Sequence, residues 1–519
     1  MPAETTFILL FIVATTVAIV VQRLKIPYTV ALVASGLLLG SIHALEPPLL
    51  TKQLLYTVFL PGLLFEAAFH IDFEQFWRNK LTIASLAVPG VIAATALTTV
   101  ILTPVADALE YVKNFNWRYS LVFGALIAAT DPIAVVSLFR EIGAPKRLNV
   151  LIQGESLLND GTGIVFFTLS LSIATGVSTT AGGLVLDFFE IVGFALLTGG
   201  VVGLAVSQVT KQINEPMIEI TLTTIGAYGA FVAAEHFGYS GVIATVTAGM
   251  ICGNYGARTG MSPSTRLAVE SFWEYVAFAM NSIVFLLIGF EVHIGDLIAS
   301  WQMILVAYLA VTIGRALVIS GVSLIFRYSR ERIPWSWSFF LFWGGLRGAL
   351  PMVLALSLPM GFAHRELLVT MTFEVVIISI VFHGLTVSKL IKWLGIVTGR
   401  RSLERYFYLQ GKLRAAGAAL TDIEHLNRGR LKEEGVLSSL KEEYETMIRD
   451  GEKHLNSLRV DHEELKREEM QRARRELILA EKKHIIESFH QGMLSQRVYE
   501  KLIDEADTRL LKMETEEPY

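Results

Sequence analysis

The chain has 519 residues, of which 53% are hydrophobic and 18% are charged, and its mean hydropathy is +0.51. Soluble globular chains carry about 25% charged residues, so the composition argues against a single soluble domain. The net charge of −4 averages two unlike regions, because apolar runs dominate residues 1–395 and Lys, Arg and Glu dominate residues 396–519. It therefore gives no reason to expect a nucleic-acid partner.

About 13 apolar segments, each near the length of a membrane-spanning helix, follow one another through the first region. A helix needs about 20 residues to cross roughly 30 Å of hydrocarbon. The centres are predicted near Val13, Ala34, Leu63, Val91, Ile127, Val165, Ala195, Gly226, Ala244, Ile283, Val311, Leu346 and Ile378. The sequence thus predicts an all-α polytopic membrane protein, with a transmembrane domain at residues 1–395 and a charged helical tail at residues 396–519.

The loops between these segments differ in charge from one side to the other. If loops alternate sides, one set carries about 13 Lys and Arg residues and the other about four, namely Lys52, Lys113, Arg118 and Arg365. The positive-inside rule places the first set and the tail in the cytoplasm, and an odd number of spans then leaves the N-terminus outside. The expected location is the inner (cell) membrane.

The third and fifth spans each combine a carboxylate with a helix breaker. Glu66 follows Pro61-Gly62 in the third span, and the fifth carries Ala129-Thr130-Asp131-Pro132 near its middle. Pro132 removes a helix hydrogen bond and disfavours helical geometry at Asp131. Membrane helices tolerate such breaks and charges where they are buried in protein or line a watery cavity, so these residues indicate the working site.

The sixth span supplies the run Glu155-Ser156-Leu157-Leu158-Asn159-Asp160. Glu155 and Asn159 are four residues apart, as are Ser156 and Asp160, so the four side chains form two neighbouring polar strips on one helix. Two carboxylates and an amide in an apolar span are costly unless each has a partner or a task.

The twelfth span carries Gly344-Gly345-Leu346-Arg347-Gly348, followed by Pro351. It lies seven spans after the fifth, and an odd offset means that the two spans cross the bilayer in opposite directions. This is the expected mark of inverted-topology repeats, in which two interrupted helices meet near the midplane. Arg347 stays charged at membrane depth, so we expect it to form a cross-helix ion pair with Glu155.

These side chains suit a hard cation and a proton. Na⁺ exchanges its water for oxygen ligands, which carboxylates, a hydroxyl and the carbonyls of an unwound helix supply. No His or Cys cluster indicates a softer metal. Burial opposes the charged form of a carboxylate, so one group can hold either a proton or a cation. If the protein reorients only when that site is occupied, exchange follows without ATP, and no nucleotide-binding loop of the Walker type is evident.

Three motifs in register, Ala129-Thr130-Asp131-Pro132, Glu155 to Asp160, and Trp343 to Gly348, closely resemble the NhaP-type branch of the monovalent cation:proton antiporter-1 family, relatives of animal sodium/proton exchangers. The resemblance covers roughly residues 5–395. It implies a homodimer of 13-helix protomers and an elevator-like alternating access. It also implies electroneutral one-for-one exchange of Na⁺ or Li⁺ for H⁺, because Asn precedes the key Asp. No cofactor is implied beyond the transported Na⁺ and H⁺.

The resemblance implies a role for each residue of the motifs. Asp160 looks like the essential cation and proton carboxylate, while Asp131 and Thr130 look like residues that line the crossing of unwound helix. Na⁺ would lie at Asp160 and Asp131. Ser156 and Glu66 resemble auxiliary ligands, direct or through water.

The remaining motif residues resemble tuning and structural groups. Asn159 would tune the site, and Glu155 with Arg347 resembles the structural ion pair. Arg315, in the eleventh span, is an auxiliary residue that would compensate nearby helix ends. Glu374 and His383, in the last span, either form a second proton-responsive element or face a cavity or another polar side chain.

The tail has no apolar run long enough to span a membrane. Val436 to Arg449 and Asp461 to Phe489 mix Leu and Ile with many charged residues at helical spacing, which predicts a cytoplasmic set of helices. The tail either binds a regulator, self-associates or is a solvated appendage. The other expected partner is membrane lipid, whose anionic head groups would contact Gly399-Arg400-Arg401.

Rival functions stay open from the residues alone. The ion could instead be K⁺ or Ca²⁺, because an oxygen cage discriminates by geometry that the sequence does not reveal. A cation channel or a pH sensor is a different class, but channels use pore-lining rings from several subunits, whereas the unusual residues here lie on paired helices of one chain. No Ser/His or metal-ligand pair stands out in the spans, so an enzyme is not expected.

Overall fold

The computed structural model describes the chain except for residues 1–2, 25–26, 42–51, 109–114, 143, 177–180, 214, 292–294, 296–299, 330, 397–399, 429–433, 458–461, 491–492 and 516–519. The chain divides into two compact units, Met1–Ile396 and Val397–Tyr519. Of the residues discussed above, Lys113, Gly399, Asp461 and the side chains of Arg400 and Arg401 lie outside the described part.

The first unit is a bundle of α-helices. In chain order they are α1 (Ala3–Leu24), α2 (Tyr28–Ser41), α3 (Lys52–Leu54, continuing as Leu55–His70), α4 (Phe73–Arg78), α5 (Lys80–Ala87), α6 (Pro89–Ala108), α7 (Trp117–Leu126), α8 (Ile133–Ile142), α9 (Lys146–Thr175), α10 (Ala181–Thr210), α11 (Pro216–His236), α12 (Gly241–Ile251, continuing to Thr259), α13 (Pro263–Phe290), α14 (Trp301–Ile325), α15 (Trp335–Trp343), α16 (Ala349–Leu356) and α17 (Arg365–Trp393). A π turn interrupts α3, α12 and α17, the last at Ser379–His383.

The lengths and surfaces of these helices suit a membrane. Within the described residues, seven helices are long and apolar enough to cross one, and three shorter apolar helices are Ile8–Val21, Tyr28–Ser41 and Leu55–His70. Large apolar side chains face outward, such as Leu186 of α10, which is 70% exposed. Such outward apolar surface is expected where lipid is the solvent. The predicted all-α fold with apolar helices of membrane-spanning length is confirmed.

Close helix packing stabilises the bundle where glycines meet. A Cβ added at Gly36 of α2 would lie 2.1 Å from the carbonyl oxygen of Leu286 in α13, and one added at Gly289 would lie 2.2 Å from that of Val33. Both distances are shorter than any van der Waals contact, so only glycine allows these two helices to approach so closely.

A single turn residue, Val88, followed by Pro89, separates α5 from α6. Pro89 has no N–H to donate to the carbonyl four residues earlier, that of Ser85, and its ring distorts the adjoining turn. In that turn the hydroxyl of Thr162 in α9 donates to the Ala87 carbonyl at 2.7 Å. This bond fixes α9 against that turn.

Both helix interruptions expected from the sequence are present, and they contact each other. The chain is unwound between α7 and α8 and again between α15 and α16. The Asp131 amide donates to the Leu346 carbonyl at 2.8 Å, and these two residues form an isolated antiparallel bridge. The two breaks therefore cross at Asp131 and Leu346.

The second unit consists of α18 (Arg400–Arg428), α19 (Glu434–Ser457), α20 (His462–His490) and α21 (Gln496–Thr515). Contacts pair α18 with α19 and α20 with α21. In the second pair, Arg509 donates to Glu481 at 2.5 Å and the rings of Phe489 and Tyr499 stack with centroids 4.3 Å apart. The predicted helical character of the tail is confirmed.

Candidate cation-binding site

Asp131 occupies the centre of the crossing. Its carboxylate oxygen Oδ1 accepts a hydrogen bond from the Ile133 amide at 2.8 Å, so it satisfies one of the free amides at the start of α8. Gly348 lies directly against it, because a Cβ at that position would be 2.4 Å from the Asp131 Cβ. The glycine is therefore required for the two unwound segments to meet.

Two side chains of α9 bind the unwound segment before Asp131. The Ser156 hydroxyl donates to the Thr130 carbonyl at 2.5 Å. The Asn159 amide Nδ2 donates to the Ala128 carbonyl at 3.0 Å and contacts the Thr130 hydroxyl at 3.4 Å. The oxygen of this amide, Asn159 Oδ1, is buried and accepts no hydrogen bond from the described residues. An acceptor without a donor in a dry site is a natural ligand for a cation.

Asp160 follows on the same helix and is partly buried. Within the part of the chain that the structure describes, no hydrogen bond reaches its carboxylate. The charged groups that act on it most strongly are Asp131 and Glu155. Negative charge on these two neighbouring carboxylates favours a proton or a cation at Asp160.

A cavity adjoins Asp131. Its walls combine the unwound segments with the polar strip of α9 and include Thr130, Asp131, Pro132, Glu155, Ser156, Arg315, Gly344 and Gly345. Asn159 and Asp160 are not among its lining residues. The structure therefore brings Thr130, Asp131 and Ser156 to one cavity and places Asn159 against Thr130, with Asp160 linked to them electrostatically.

The prediction that Glu155 pairs with Arg347 is wrong. Glu155 forms a two-pronged ion pair with Arg315 instead, with Nη1 to Oε1 at 3.0 Å and Nη2 to Oε2 at 3.1 Å. Gly345 makes room for this guanidinium, since a Cβ there would lie 2.3 Å from the Arg315 Cζ. The planar guanidinium matches a carboxylate best in this geometry, and Arg347 is used elsewhere.

Each interrupted span has an arginine at the carbonyl end of its first half-helix. Arg347 donates through Nη1 to the carbonyls of Ala128 at 2.7 Å and Ala129 at 3.2 Å, just after α7 ends. Arg315 donates to the carbonyls of Leu341 at 2.9 Å and Phe342 at 3.3 Å, at the end of α15. The last carbonyls of a helix lack helical partners and carry partial negative charge, so both arginines stabilise these ends.

The other candidate residues lie apart from this network. The Glu66 carboxylate is 3.2 Å from Nδ1 of His70, one turn along α3, and Glu66 does not line the cavity at Asp131. Glu374 is buried in α17. His383 Nε2 lies 2.9 Å from the Tyr308 hydroxyl, and both residues line a second cavity.

Sequence reasoning missed His70 and Ser379. His70 had a usable signal, because it follows Glu66 by four residues. Ser379, whose Oγ accepts the Arg347 backbone amide at 3.2 Å, had none, since a serine in an apolar span is common.

Two interrupted helices that cross beside carboxylates define the class of secondary transporters, in which unwound segments form the ion site. A family model described as sodium/hydrogen exchanger, transmembrane, matches residues 8–393, and the chain belongs to this family. The expected resemblance to NhaP-type antiporters is confirmed by the relatives described next.

Two relatives with assigned names are similar over most of the chain. The Na(+)/H(+) antiporter ApNhaP of Aphanothece halophytica is 38% identical over 405 residues, which are 78% of this chain and 76% of the relative. The Na(+)/H(+) antiporter NhaG of Bacillus atrophaeus is 33% identical over 510 residues, 95% of each chain. The second similarity therefore extends through the tail.

A solved structure has the same fold. The sodium proton antiporter MjNhaP1 from Methanocaldococcus jannaschii superposes with a TM-score of 0.60 at 18% identity and covers 74% of this chain and 98% of its own. The chain is accordingly an integral membrane protein with an antiporter fold.

Proposed function

We propose that the chain exchanges Na⁺ for H⁺ across the membrane at one shared site, with Asp160 as the carboxylate that holds either ion. Its relatives are named Na(+)/H(+) antiporters, and it belongs to their family. The observation that carries the proposal is the crossing, where α9 binds the unwound segment at Thr130 and Asp131 acts electrostatically on Asp160.

The proposed ligands are all oxygen atoms. The carboxylates of Asp160 and Asp131 supply charge, while the Thr130 and Ser156 hydroxyls and Asn159 Oδ1 supply neutral oxygens. This set suits a hard monovalent cation such as Na⁺. Glu66 is not part of the proposed set, because its carboxylate contacts His70.

Counting charges supports one-for-one exchange. Glu155 and Arg315 neutralise each other, and Asn159 adds no charge beside Asp160. With Asp131 keeping the same charge throughout, replacing one Na⁺ at Asp160 by one H⁺ leaves the charge of the site unchanged. We infer that the exchange is electroneutral.

The architecture proposed for the membrane unit has thirteen spans. Within the described residues, the seven long helices, the three shorter ones, the interrupted pairs α7/α8 and α15/α16, and the helix α12 make up that number. The two interrupted spans would be the related elements of inverted repeats, since each has an arginine at the end of its first half-helix.

The wider proposal rests on family membership and loop charge. It comprises an elevator-like alternating access, a homodimer, the inner membrane as location, an outside N-terminus and a cytoplasmic tail. The excess of Lys and Arg in one set of loops supports the orientation.

Proteoliposomes with an internal acid pH provide the test. A pH-sensitive dye reports dissipation of the gradient when Na⁺, Li⁺, K⁺ or Ca²⁺ is added outside. We expect Na⁺ to drive proton efflux, and the ranking of the four ions identifies the substrate. A cation flux that needs no proton movement would indicate a channel, and the absence of any response to all four ions would contradict antiport.

A further inference from the structure

A second cavity lies beside the cation site and differs from it in charge. It shares Arg315 and Gly345 with the cavity at Asp131, and its polar lining consists of Tyr308, Thr312, Arg315, Arg347, Ser379 and His383. No carboxylate is among its described lining residues. A polar cavity with two guanidinium groups and no acid is unusual inside a membrane protein.

The charge of Arg347 is not balanced by an ion pair. Arg315 is fully engaged with Glu155, but Arg347, which is only 5% exposed, bonds to backbone carbonyls through Nη1 alone. Throughout the described part of the chain, no carboxylate forms an ion pair with Arg347 and no acceptor reaches its Nε or Nη2. Glu155 acts on Arg347 from a distance, but both of its oxygens are held by Arg315. A buried charge that no carboxylate contacts is destabilising.

The π turn of α17 adds two further donors. Ser379 Oγ accepts the Arg347 amide, so its own hydrogen is free to point into the cavity. His383 is 5% exposed, and its Nδ1 has no hydrogen-bond partner among the described residues. When the Tyr308 hydroxyl donates to Nε2, the neutral ring carries its hydrogen on Nδ1, so a ring that lines the cavity has a donor without an acceptor.

We propose that this cavity binds a small monovalent anion, with chloride as the occupant in physiological salt. The anion accepts hydrogen bonds from Arg347, Ser379 and His383 and balances the Arg347 charge. It remains bound as a counter-ion while cations exchange at Asp160. The site thereby stabilises the residue that holds the end of α7. This proposal is independent of which cation is exchanged.

Trp343 provides a local reporter for the test. Its ring lies against His383, with centroids 4.5 Å apart. Iodide quenches tryptophan fluorescence, so the purified full-length chain is titrated with sodium iodide in place of sodium gluconate at constant Na⁺ and ionic strength. We expect a saturable component of quenching that is lost in Trp343→Phe.

Two serine variants test whether the saturable iodide quenching arises from binding in this cavity. Ser379→Ala removes a donor to the anion and should raise the half-saturating iodide concentration about tenfold. Ser357→Ala is the matched control, because the Ser357 hydroxyl donates to the Leu354 carbonyl outside the cavity, and it should behave as the unmodified chain.

Crystals grown with bromide give a second measurement that needs no variant. An anomalous peak beside the Arg347 guanidinium is expected. Quenching that rises linearly and equally in the unmodified chain and in Trp343→Phe, or a cavity that holds only water at saturating bromide, would overturn the proposal.

Discussion

Arg315 binds both carboxylate oxygens of Glu155, at 3.0 and 3.1 Å, although the two residues are 160 positions apart in the chain. The same guanidinium donates to the Leu341 carbonyl. One side chain thereby joins α9, α14 and the end of α15. Because both partners are buried, removing either leaves an uncompensated charge in the bundle.

Glu155→Ala and Arg315→Ala should each lower the free energy of unfolding by about 3–5 kcal/mol. The double variant should lose less than the sum, since it leaves no unpaired charge. Thermal unfolding in detergent measures the three losses. The same cycle with Arg347→Ala in place of Arg315→Ala is the control and should show weaker coupling to Glu155. Additive losses for Glu155 and Arg315 would mean that the pair does not form.

Asp160→Asn should abolish exchange and leave a folded protein, because it removes the titrating charge while nearly keeping the volume. Cation-driven proton efflux from proteoliposomes measures the activity, and size-exclusion chromatography checks the fold. Asp187→Asn is the matched control, since Asp187 is an exposed acid on α10 that belongs to none of the site motifs, and it should retain exchange. Exchange activity in the Asp160→Asn variant would show that Asp160 is not the shared carboxylate.

Na⁺ and H⁺ should compete, so the apparent affinity for Na⁺ should fall as the pH is lowered. Where the empty carboxylate is protonated, each bound Na⁺ displaces one proton, and the half-saturating Na⁺ concentration should rise at most about tenfold per pH unit. At higher pH, where the carboxylate is already ionised, the concentration should become constant. The measurement is the Na⁺ dependence of exchange at five or more pH values. An affinity that does not change with pH would exclude a shared site.

Exchange should proceed at the same rate at every membrane voltage. One Na⁺ for one H⁺ moves no net charge, and Glu155 with Arg315 contributes none. Proteoliposomes whose voltage is set by a potassium ionophore provide the measurement. A rate that changes several-fold over 100 mV, which is about 2.3 kcal/mol per elementary charge, would exclude the one-for-one ratio and leave antiport itself standing.

Gly348→Ala should greatly reduce transport while the helix content stays the same. The added methyl group would overlap the Asp131 side chain, so the crossing must separate or Asp131 must turn away. Gly193→Ala is the control, because no atom lies within 4 Å of a Cβ at that position in α10. Circular dichroism and the proton-efflux assay distinguish loss of function from loss of fold. Normal activity in the Gly348 variant would show that the close approach to Asp131 is not needed.

Local sequence signals predicted the interruptions, because Pro132 and the glycines beside Arg347 act on their own backbone. The choice of ion-pair partner was not predictable in the same way. Both Arg315 and Arg347 are single arginines in apolar spans, and sequence order does not say which one faces α9. The packing of α14 against the end of α15 decides it, through Gly345.

For the candidate site residues, too, local sequence predicted the side chains but not their partners. Ser156 and Asn159 were identified from helical spacing, which places them near one another on α9. Their actual partners, the carbonyls of Thr130 and Ala128, are backbone atoms exposed by the break and carry no sequence signature. Glu66 had the right residue type beside a helix breaker, but its carboxylate contacts His70 on its own helix.

The arginines at the ends of α7 and α15 have a consequence for the proposed transport cycle. Their donors belong to the chain, so the carbonyls of Ala128, Ala129, Leu341 and Phe342 are hydrogen-bonded whether or not an ion is present. Under the proposed function, release of Na⁺ would require no refolding of the crossing, and the empty site would keep its binding geometry. An alternating-access cycle built on this site would then consist of movement between packed helices, with no folding step repeated in each cycle.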